Sequence, residues 1–312
     1  MAGYEPIEVR GFFRSHSHLP IWEVLEEAGI WREVGMKVSF EFCGSSTLAE
    51  AALFDGRIDF ISGNHITPYA LVARGKPIVC LASPSNSVND KLITRERISA
   101  PSELRGKRIG DTTLVDPEGG YHHLRGNHML YVMRSGLRLE EVQWVELADT
   151  MDQFRTAQLE AMKSGKVDGT FVTGGTKFEK AGLYVLNLEP LPMVNGPTLT
   201  TTLRALKGKD RLGERLVKAM ILGIHFARTR REETERILEN LRRREPEARS
   251  VSTNSVAKLL SKPYPDLRAI ANAYELCCMK DDQAKEVSPL ALWDVHYLRE
   301  LDESGFIDRL YS

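Results

Sequence analysis

Cysteine is scarce in this chain of 312 residues, with four in all and no Cys-x-x-Cys pair. Cys43 and Cys80 fall in predicted buried strands. Cys277 and Cys278 are neighbours on a predicted helix, where adjacent side chains rarely have the geometry to bridge. Four unbridged, mostly buried thiols are therefore expected, which suits a reducing compartment and excludes a disulfide-stapled scaffold. Long apolar runs are also missing: nothing approaches the roughly 18 residues that span a bilayer, so membrane insertion is not expected. The chain opens Met-Ala-Gly-Tyr-Glu-Pro and enters the strand-like Ile7 to Arg10 almost at once, without a basic leader or an apolar signal segment. Expected is a cytoplasmic protein as written, or a periplasmic one if the chain is a processed mature form.

An excess of one charge is absent as well. Lys and Arg number 42 against 43 Asp and Glu, a net charge of −1, so nothing electrostatic calls for a nucleic acid or an anionic membrane. The run Arg242-Arg243-Arg244 is followed by Glu245 and Glu247 and reads as a solvated helix end. There is no Gly-x-x-x-x-Gly-Lys-Ser/Thr phosphate loop, no Gly-x-Ser-x-Gly elbow and no helical His-x-x-x-His. His16-Ser17-His18, with His65 as a third nitrogen, is the best metal arrangement available, yet no carboxylate or thiol stands at a convincing ligand spacing. No metal and no cofactor is expected.

What is present is a repeat. Ala51 to Gly63, reading Ala-Ala-Leu-Phe-Asp-Gly-Arg-Ile-Asp-Phe-Ile-Ser-Gly, returns as Ala161 to Gly174, Ala-Met-Lys-Ser-Gly-Lys-Val-Asp-Gly-Thr-Phe-Val-Thr-Gly. Each copy reads as a helix end, a glycine in the left-handed cap position, a basic residue, and a short buried strand that stops at a small polar residue and a glycine. Loops after the carboxyl ends of strands hold ligands in open α/β sheets, so two copies predict two lobes with a binding cleft between them.

The periodicity agrees. Strands are predicted at Ile7 to Phe13, Met36 to Cys43, Ile58 to Ser62 and Ile78 to Ala82, alternating with helices at His18 to Ala28, Leu48 to Phe54 and Pro68 to Ala73. Such alternation points to a parallel sheet. A second round runs from the strand Lys91 to Thr94 through strands at Lys107 to Gly110, Val142 to Leu147, Val167 to Val172 and Tyr184 to Leu186. Its helices are predicted at Tyr121 to Ser135, Asp152 to Lys163 and Thr176 to Ala181. Polar, Pro- and Gly-containing links at Ser83 to Asn89 and Leu191 to Thr200 flank it. From Asp210 the pattern is almost wholly helical, ending with a predicted helix over Pro289 to Asp302.

Phe12-Phe13 leading into Leu19-Pro20-Ile21-Trp22, Glu27 to Trp31 and Glu33 to Val38, then Arg74 to Ile78, Ser102 to Gly110 and Glu179 to Leu186, together resemble the thiamine-precursor-synthase-like group of substrate-binding proteins, which includes sulfonate and nitrate binders. That resemblance implies an α/β, two-lobed type II periplasmic-binding-protein-like fold with a C-terminal helical extension on lobe 1. Lobe 1 would hold residues 1–86 and 196–312, lobe 2 residues 87–195. It implies a small-molecule ligand, an ABC permease as partner if the protein is secreted, and two crossing strands at the polar links.

Donor-rich loops then define the candidate contacts: Arg14, His16 and His18 after the first strand, Ser45 after the second, Ser62, Asn64 and His65 after the third, and Thr112, Gly120, His122, Thr173 and Gly174 in the second lobe. His18 is read either as a cleft group or as a solvated helix N-terminal residue, and His128, among Met129, Leu130 and Val132, as packing or surface. The expected ligand is a small anion or aromatic acid. An enzyme on the same fold is the alternative, a decarboxylase or other lyase, or a hydrolase, acting on a small carboxylate or related anion. His16 and His65 would then be the catalytic acid and base. The aromatic sulfinate desulfinase type keeps a nucleophilic Cys where this chain has His16, and the pyrimidine-precursor synthase type keeps a His where it has Thr67, so neither chemistry transfers.

Overall fold

The computed structural model describes residues 5–113, 123–148, 151–248 and 251–312. Its strands, in chain order, are β1 Ile7–Phe13, β2 Met36–Phe42, β3 Phe60–Ser62, β4 Ile78–Ala82, β5 Ser85–Val88, β6 Lys91–Thr94, β7 Arg108–Asp111, β8 Gln143–Glu146, β9 Gly169–Val172, β10 Tyr184–Asn187, β11 Leu191–Asn195 and β12 Leu199–Thr202. The chain divides into two compact units. One comprises the residues up to Asn86 with Val194–Ser312, the other Ser87–Met193, and the linking strands β5 and β11 pair with each other.

In the first unit the sheet order is β2-β1-β3-β12-β4. β1 runs parallel to β2 and β3, and Val9, Gly11 and Phe13 turn towards the core as period-two alternation requires. Gly11 is needed there: a Cβ would lie 2.3 Å from the Phe60 ring, which crosses the strand at that point. The stacked pair Trp22 and Trp31, 5.9 Å apart, fills the space between the sheet and the helices. The C-terminal helix Leu212–Thr229 covers this core, and Gly223 lets it approach helix Leu19–Glu27, because a Cβ would sit 2.5 Å from Leu25. Arg215 on the same helix is fully buried and donates to the carbonyls of Glu5 and Gly35, which offsets the cost of its desolvation.

Three expectations are corrected here. The sheet is mixed, not purely parallel: the end of the expected link Leu191 to Thr200 runs into β12, a buried strand lying antiparallel between β3 and β4. Its Thr residues tolerate burial because Thr200 and Thr201 donate to the carbonyls of Asn64 and Asp59 at 2.5 and 2.6 Å. The helix expected over Pro289 to Asp302 is His296–Glu303. The stretch before it is recruited by an exposed strand edge: Cys80 N–H donates to Leu292 O at 2.7 Å and Asp294 N–H to Cys80 O at 3.0 Å, which covers the outer side of β4.

The second unit's sheet has the order β10-β6-β9-β7-β8, with β7 parallel to β8 and β9, and β6 antiparallel to β9 and β10. Its helices Met151–Ser164 and Thr176–Glu179 pack Met162 and Phe178 onto Ile93 and Val167. The Asp168 carboxylate, at the entry to β9, accepts the Arg108 backbone N–H at 2.9 Å and two bonds from the Arg108 guanidinium at 3.0 and 2.8 Å. It is thereby held below the usual carboxylate range, first by those side-chain bonds.

Candidate functional site

The loops after β1, β2 and β3 meet at the carboxyl ends of three neighbouring parallel strands. Arg14 is half-buried there; its guanidinium donates to Ser46 Oγ at 2.5 Å, Gly44 O at 2.7 Å and Asn64 Oδ1 at 3.4 Å. Asn64 in turn donates to Glu50 Oε1 at 2.9 Å, and Thr67 Oγ1 donates to the same oxygen at 2.5 Å. Burial pushes the Glu50 carboxyl up, while the Thr67 and Asn64 bonds and the charge of Arg14 pull it back down. Ser46 belongs to the donor-rich loop Ser45-Ser46-Thr47 expected after the second strand, whereas Glu50 and Thr67 were not foreseen as site groups. Glu50 lies one turn into a helix, and only the placement of Asn64 opposite it gives it a role.

His16 heads the short 3-10 turn His16–His18, which Ser15 caps. Its ring stacks on Phe42 at 4.2 Å and meets Phe13 edge-on at 5.9 Å. Phe42 is half exposed, so imidazole and phenyl form an accessible aromatic ledge beside Arg14's loop. His65 is buried, with Nδ1 3.2 Å from Thr198 Oγ1.

Several expected contact groups are engaged inside the protein. Ser45 Oγ caps helix Ser46–Phe54 through Leu48 N–H at 3.1 Å. Ser62 Oγ accepts from Trp22 Nε1 at 2.9 Å. The reading of His18 as a solvated ring is overturned: it is buried, with Nδ1 3.2 Å from Ser62 O, and desolvation, helped by the nearby Arg14 charge, lowers its pKa to about 4 against the smaller opposing pull of the Ser62 carbonyl. It lies directly under Gly63, where a Cβ would come 2.1 Å from its Cε1.

In the second unit Thr112 is buried, donating from Oγ1 to Ala148 O at 2.6 Å. Thr173 and Gly174 are exposed at the end of β9, on the rim of a cavity of about 320 Å³. Gly120 and His122 lie outside the described residues. The sequence reading of His128 as packing or surface is incomplete. It is buried and stacks on Phe171 at 4.7 Å, but its Nδ1 is 2.9 Å from Asp111 Oδ2 and its Nε2 3.7 Å from Asp90 Oδ2. Arg125 Nε lies 3.7 Å from the same Asp111 oxygen and stacks over Trp144 at 4.3 Å. Burial raises the Asp90 carboxyl; the charge of His128 opposes this and that of Asp111 adds to it. The missed signal was a histidine on the apolar stripe of helix His123–Arg134, one turn after Leu124 and just before Tyr131 in the same row.

Among the described residues no group of three or more His, Cys, Asp or Glu side chains is arranged to hold a metal. All four cysteines are free, and burial pushes the Cys80 and Cys277 thiols up to about 12 and about 11, which suppresses thiolate chemistry at both. No helix among the described residues is long and apolar enough to cross a membrane.

Comparison with known proteins places this geometry. No curated protein sequence matches the chain. Similar solved structures include a putative sulfonate ABC transporter periplasmic sulfonate-binding protein, SsuA, from Methylobacillus flagellatus KT, 17% identical, covering 97% of each chain with a TM-score of 0.63. The periplasmic aliphatic sulphonate binding protein SsuA from Escherichia coli is 15% identical over 88% of this chain and 87% of its own, with a TM-score of 0.60. A desulfurization enzyme, DSZB, is 14% identical over 95% of this chain and 99% of its own, with a TM-score of 0.61. At such identities these similarities establish the two-lobed periplasmic-binding-protein type of fold. The family model described as NMT1/THI5 like matches residues 18–233, more than half of the sequence, and the chain belongs to that family.

Proposed function

We propose that this protein binds a small organic anion as a substrate-binding protein of the ABC-transporter type. The observation that carries this is the loop cluster at the carboxyl ends of β1, β2 and β3, where the Arg14 guanidinium is oriented by Ser46 and Gly44 beside the His16–Phe42 ledge. A fixed cation next to an accessible aromatic face suits a ligand with an acidic head and an apolar or aromatic body. The naming of two structural relatives for sulfonate binding supports an anionic head group. Under this proposal Arg14, His16, Asn64 and His65 are the first unit's contacts, the protein works outside the cytoplasmic membrane, and its partner is a permease.

Native mass spectrometry of the purified protein, followed by titration calorimetry with alkanesulfonates and aromatic carboxylates, tests this. One anion should bind per chain, and Arg14→Ala or His16→Gln should weaken binding about ten- to a hundredfold, the equivalent of roughly 1.5–3 kcal/mol for a charge-assisted contact. Absence of any copurifying or titratable anion sinks the proposal.

A second function, an acid/base lyase or hydrolase, is favoured by one observation: a half-buried imidazole, His16, follows the first strand in a chain whose structural relatives include a desulfurization enzyme. Incubating the protein with its best-binding anion and following that compound by mass spectrometry separates the two. Conversion that His16→Gln abolishes favours catalysis; an unchanged, tightly bound anion favours binding alone.

A further inference from the structure

We infer that the second unit contains its own recognition pocket, in which Asp90 and His128 jointly take a hydroxyl or amino group borne by a small organic anion. This rests on the ligand-binding proposal above and narrows its ligand class. The pocket is the cavity of about 320 Å³, within the size range of small-molecule sites, lined by Asp90, His128, Phe171, Thr173, Arg155 and Lys177 among others.

The second unit's buried polar atoms point to the ligand chemistry. Asp90 and His128 are 3% and 1% exposed, and Asp90 Oδ2 and His128 Nε2 stand 3.7 Å apart on the cavity wall, each without a hydrogen-bond partner among the described residues. Leaving two such atoms unsatisfied in one place is costly, and a group that bonds both recovers that cost. The opposite side of the imidazole is already engaged. Its Nδ1 lies 2.9 Å from Asp111 Oδ2, and the other Asp111 oxygen accepts the Thr112 N–H at 2.8 Å, so Asp111 is the acceptor and Nδ1 the donor. Nε2 is therefore the atom turned to the cavity, with its ring held flat against Phe171.

A bare oxyanion is a poor fit between these atoms, because it repels the Asp90 carboxylate and has no proton to give it. A hydroxyl fits where Nε2 carries a proton, donating to Asp90 and accepting from Nε2–H. An amino group fits where Nε2 is bare, donating to both. The anionic end has its own partners on the same wall, the cations of Arg155 and Lys177. Lys177 is exposed, anchored by a 2.8 Å bond from Nζ to Arg155 O, and lies 5.0 Å from the Phe178 ring. The pocket thus has an acceptor-rich, deeply buried end and a cationic, open end, which selects an anion carrying a separate donor.

Two matched series test this by titration calorimetry on the full chain: 2-hydroxyethanesulfonate and 2-aminoethanesulfonate against ethanesulfonate, and 4-hydroxybenzoate and 4-aminobenzoate against benzoate. In at least one series the donor-bearing members should bind about tenfold or more tighter than the parent. Asp90→Ala should reduce that preference to less than about twofold. Should Asp90→Ala fail to fold, the nitrogen chemical shift of His128 Nε2 in the unaltered protein gives the second reading: it should move with a donor-bearing ligand and not with its parent. Parents and donor-bearing members binding alike, or a preference that survives Asp90→Ala, overturns the pocket inference and leaves the anion-binding proposal standing. Failure of all six compounds to bind overturns the pocket inference, and with no copurifying anion it overturns the anion-binding proposal as well.

Discussion

The two copies of the repeat perform the same task at one end and diverge at the other. At the entry to β3 and to β9, Asp59 and Asp168 each donate backbone N–H to a neighbouring strand, to Arg10 O at 2.7 Å and Arg108 O at 2.8 Å. Each also accepts that strand's N–H on a carboxylate oxygen, at 2.8 and 2.9 Å. The glycines before them, Gly56 and Gly165, hold φ of 74° and 75°. The countercharge differs. Asp168 takes it from Arg108, on the adjacent strand, whereas Asp59 takes it from Lys209, 150 residues away, at 2.7 Å. At the exit the copies separate fully. Gly63, at φ 90°, is closed over the buried His18, while Gly174 has nothing within 4 Å of where a Cβ would stand. The repeat therefore encodes a way of starting a buried strand, and the loop beyond it is free to become either a sealed polar network or a cavity rim.

Substitution at the two exit glycines gives the largest expected difference. Gly63→Ala combines an unfavourable positive φ with a 2.1 Å clash and should cost more than about 3 kcal/mol, or prevent folding. Gly174→Ala should stay within about 0.5 kcal/mol. Chemical denaturation of both variants checks the pair, and comparable losses would show that the two loops are equally sealed.

The next largest effect is acid sensitivity confined to the first unit's loop. The folded pKa of His18 is lowered to about 4 from 6.5, so its contribution is fully present above pH 6.5 and is lost as pH falls towards 4, on the order of 3 kcal/mol across that window. Glu50 has the opposite sign: its raised folded pKa favours the folded state below its unfolded value and is lost as pH rises. His18→Gln should flatten the fall in stability between pH 6.5 and 4, and Glu50→Gln should leave that fall in place. Melting temperatures recorded across pH 4 to 8 distinguish the two; an unchanged slope in His18→Gln breaks the assignment.

Smaller still is the contrast at the strand entries. Asp59 is buried and Asp168 partly exposed, so Asp59→Ala should cost about 2 kcal/mol and Asp168→Ala about 1 kcal/mol once solvent screening is allowed for. Equal losses in denaturant titration would show that the deeper burial of Asp59 adds nothing. Last, His16→Ala should change the melting temperature by no more than about 2 °C, because only a half-buried ring contact is lost, while reducing anion affinity.

Much of the fold was legible because it rests on short-range rules. β1, β4, β6 and helix Pro68–Ala73 lie where periodicity put them. The candidate site was legible only as a set of loops: Arg14, Asn64 and His65 do cluster after strand ends, but the partners that fix their roles, Glu50, Ser46 and Thr198, are remote in sequence and ordinary in type. Asp90, Asp111 and His128 carried still less signal, since each looks like a solvated or packing residue until three separate elements converge.

The sequence by itself determined the alternation of strands and helices, the left-handed glycines at the repeat, and the family to which the chain belongs, because backbone preference and side-chain period are local properties. Tertiary structure alone decided that the threonine-rich Leu199–Thr202 enters the sheet antiparallel, that Trp293 is drawn to the edge of β4, that His18 is buried, and that His128 is held between two carboxylates. Each of these depends on which distant backbone or charge a residue meets. Hydrogen-bond satisfaction in a water-excluding interior selects that partner, and no property of the isolated segment encodes it.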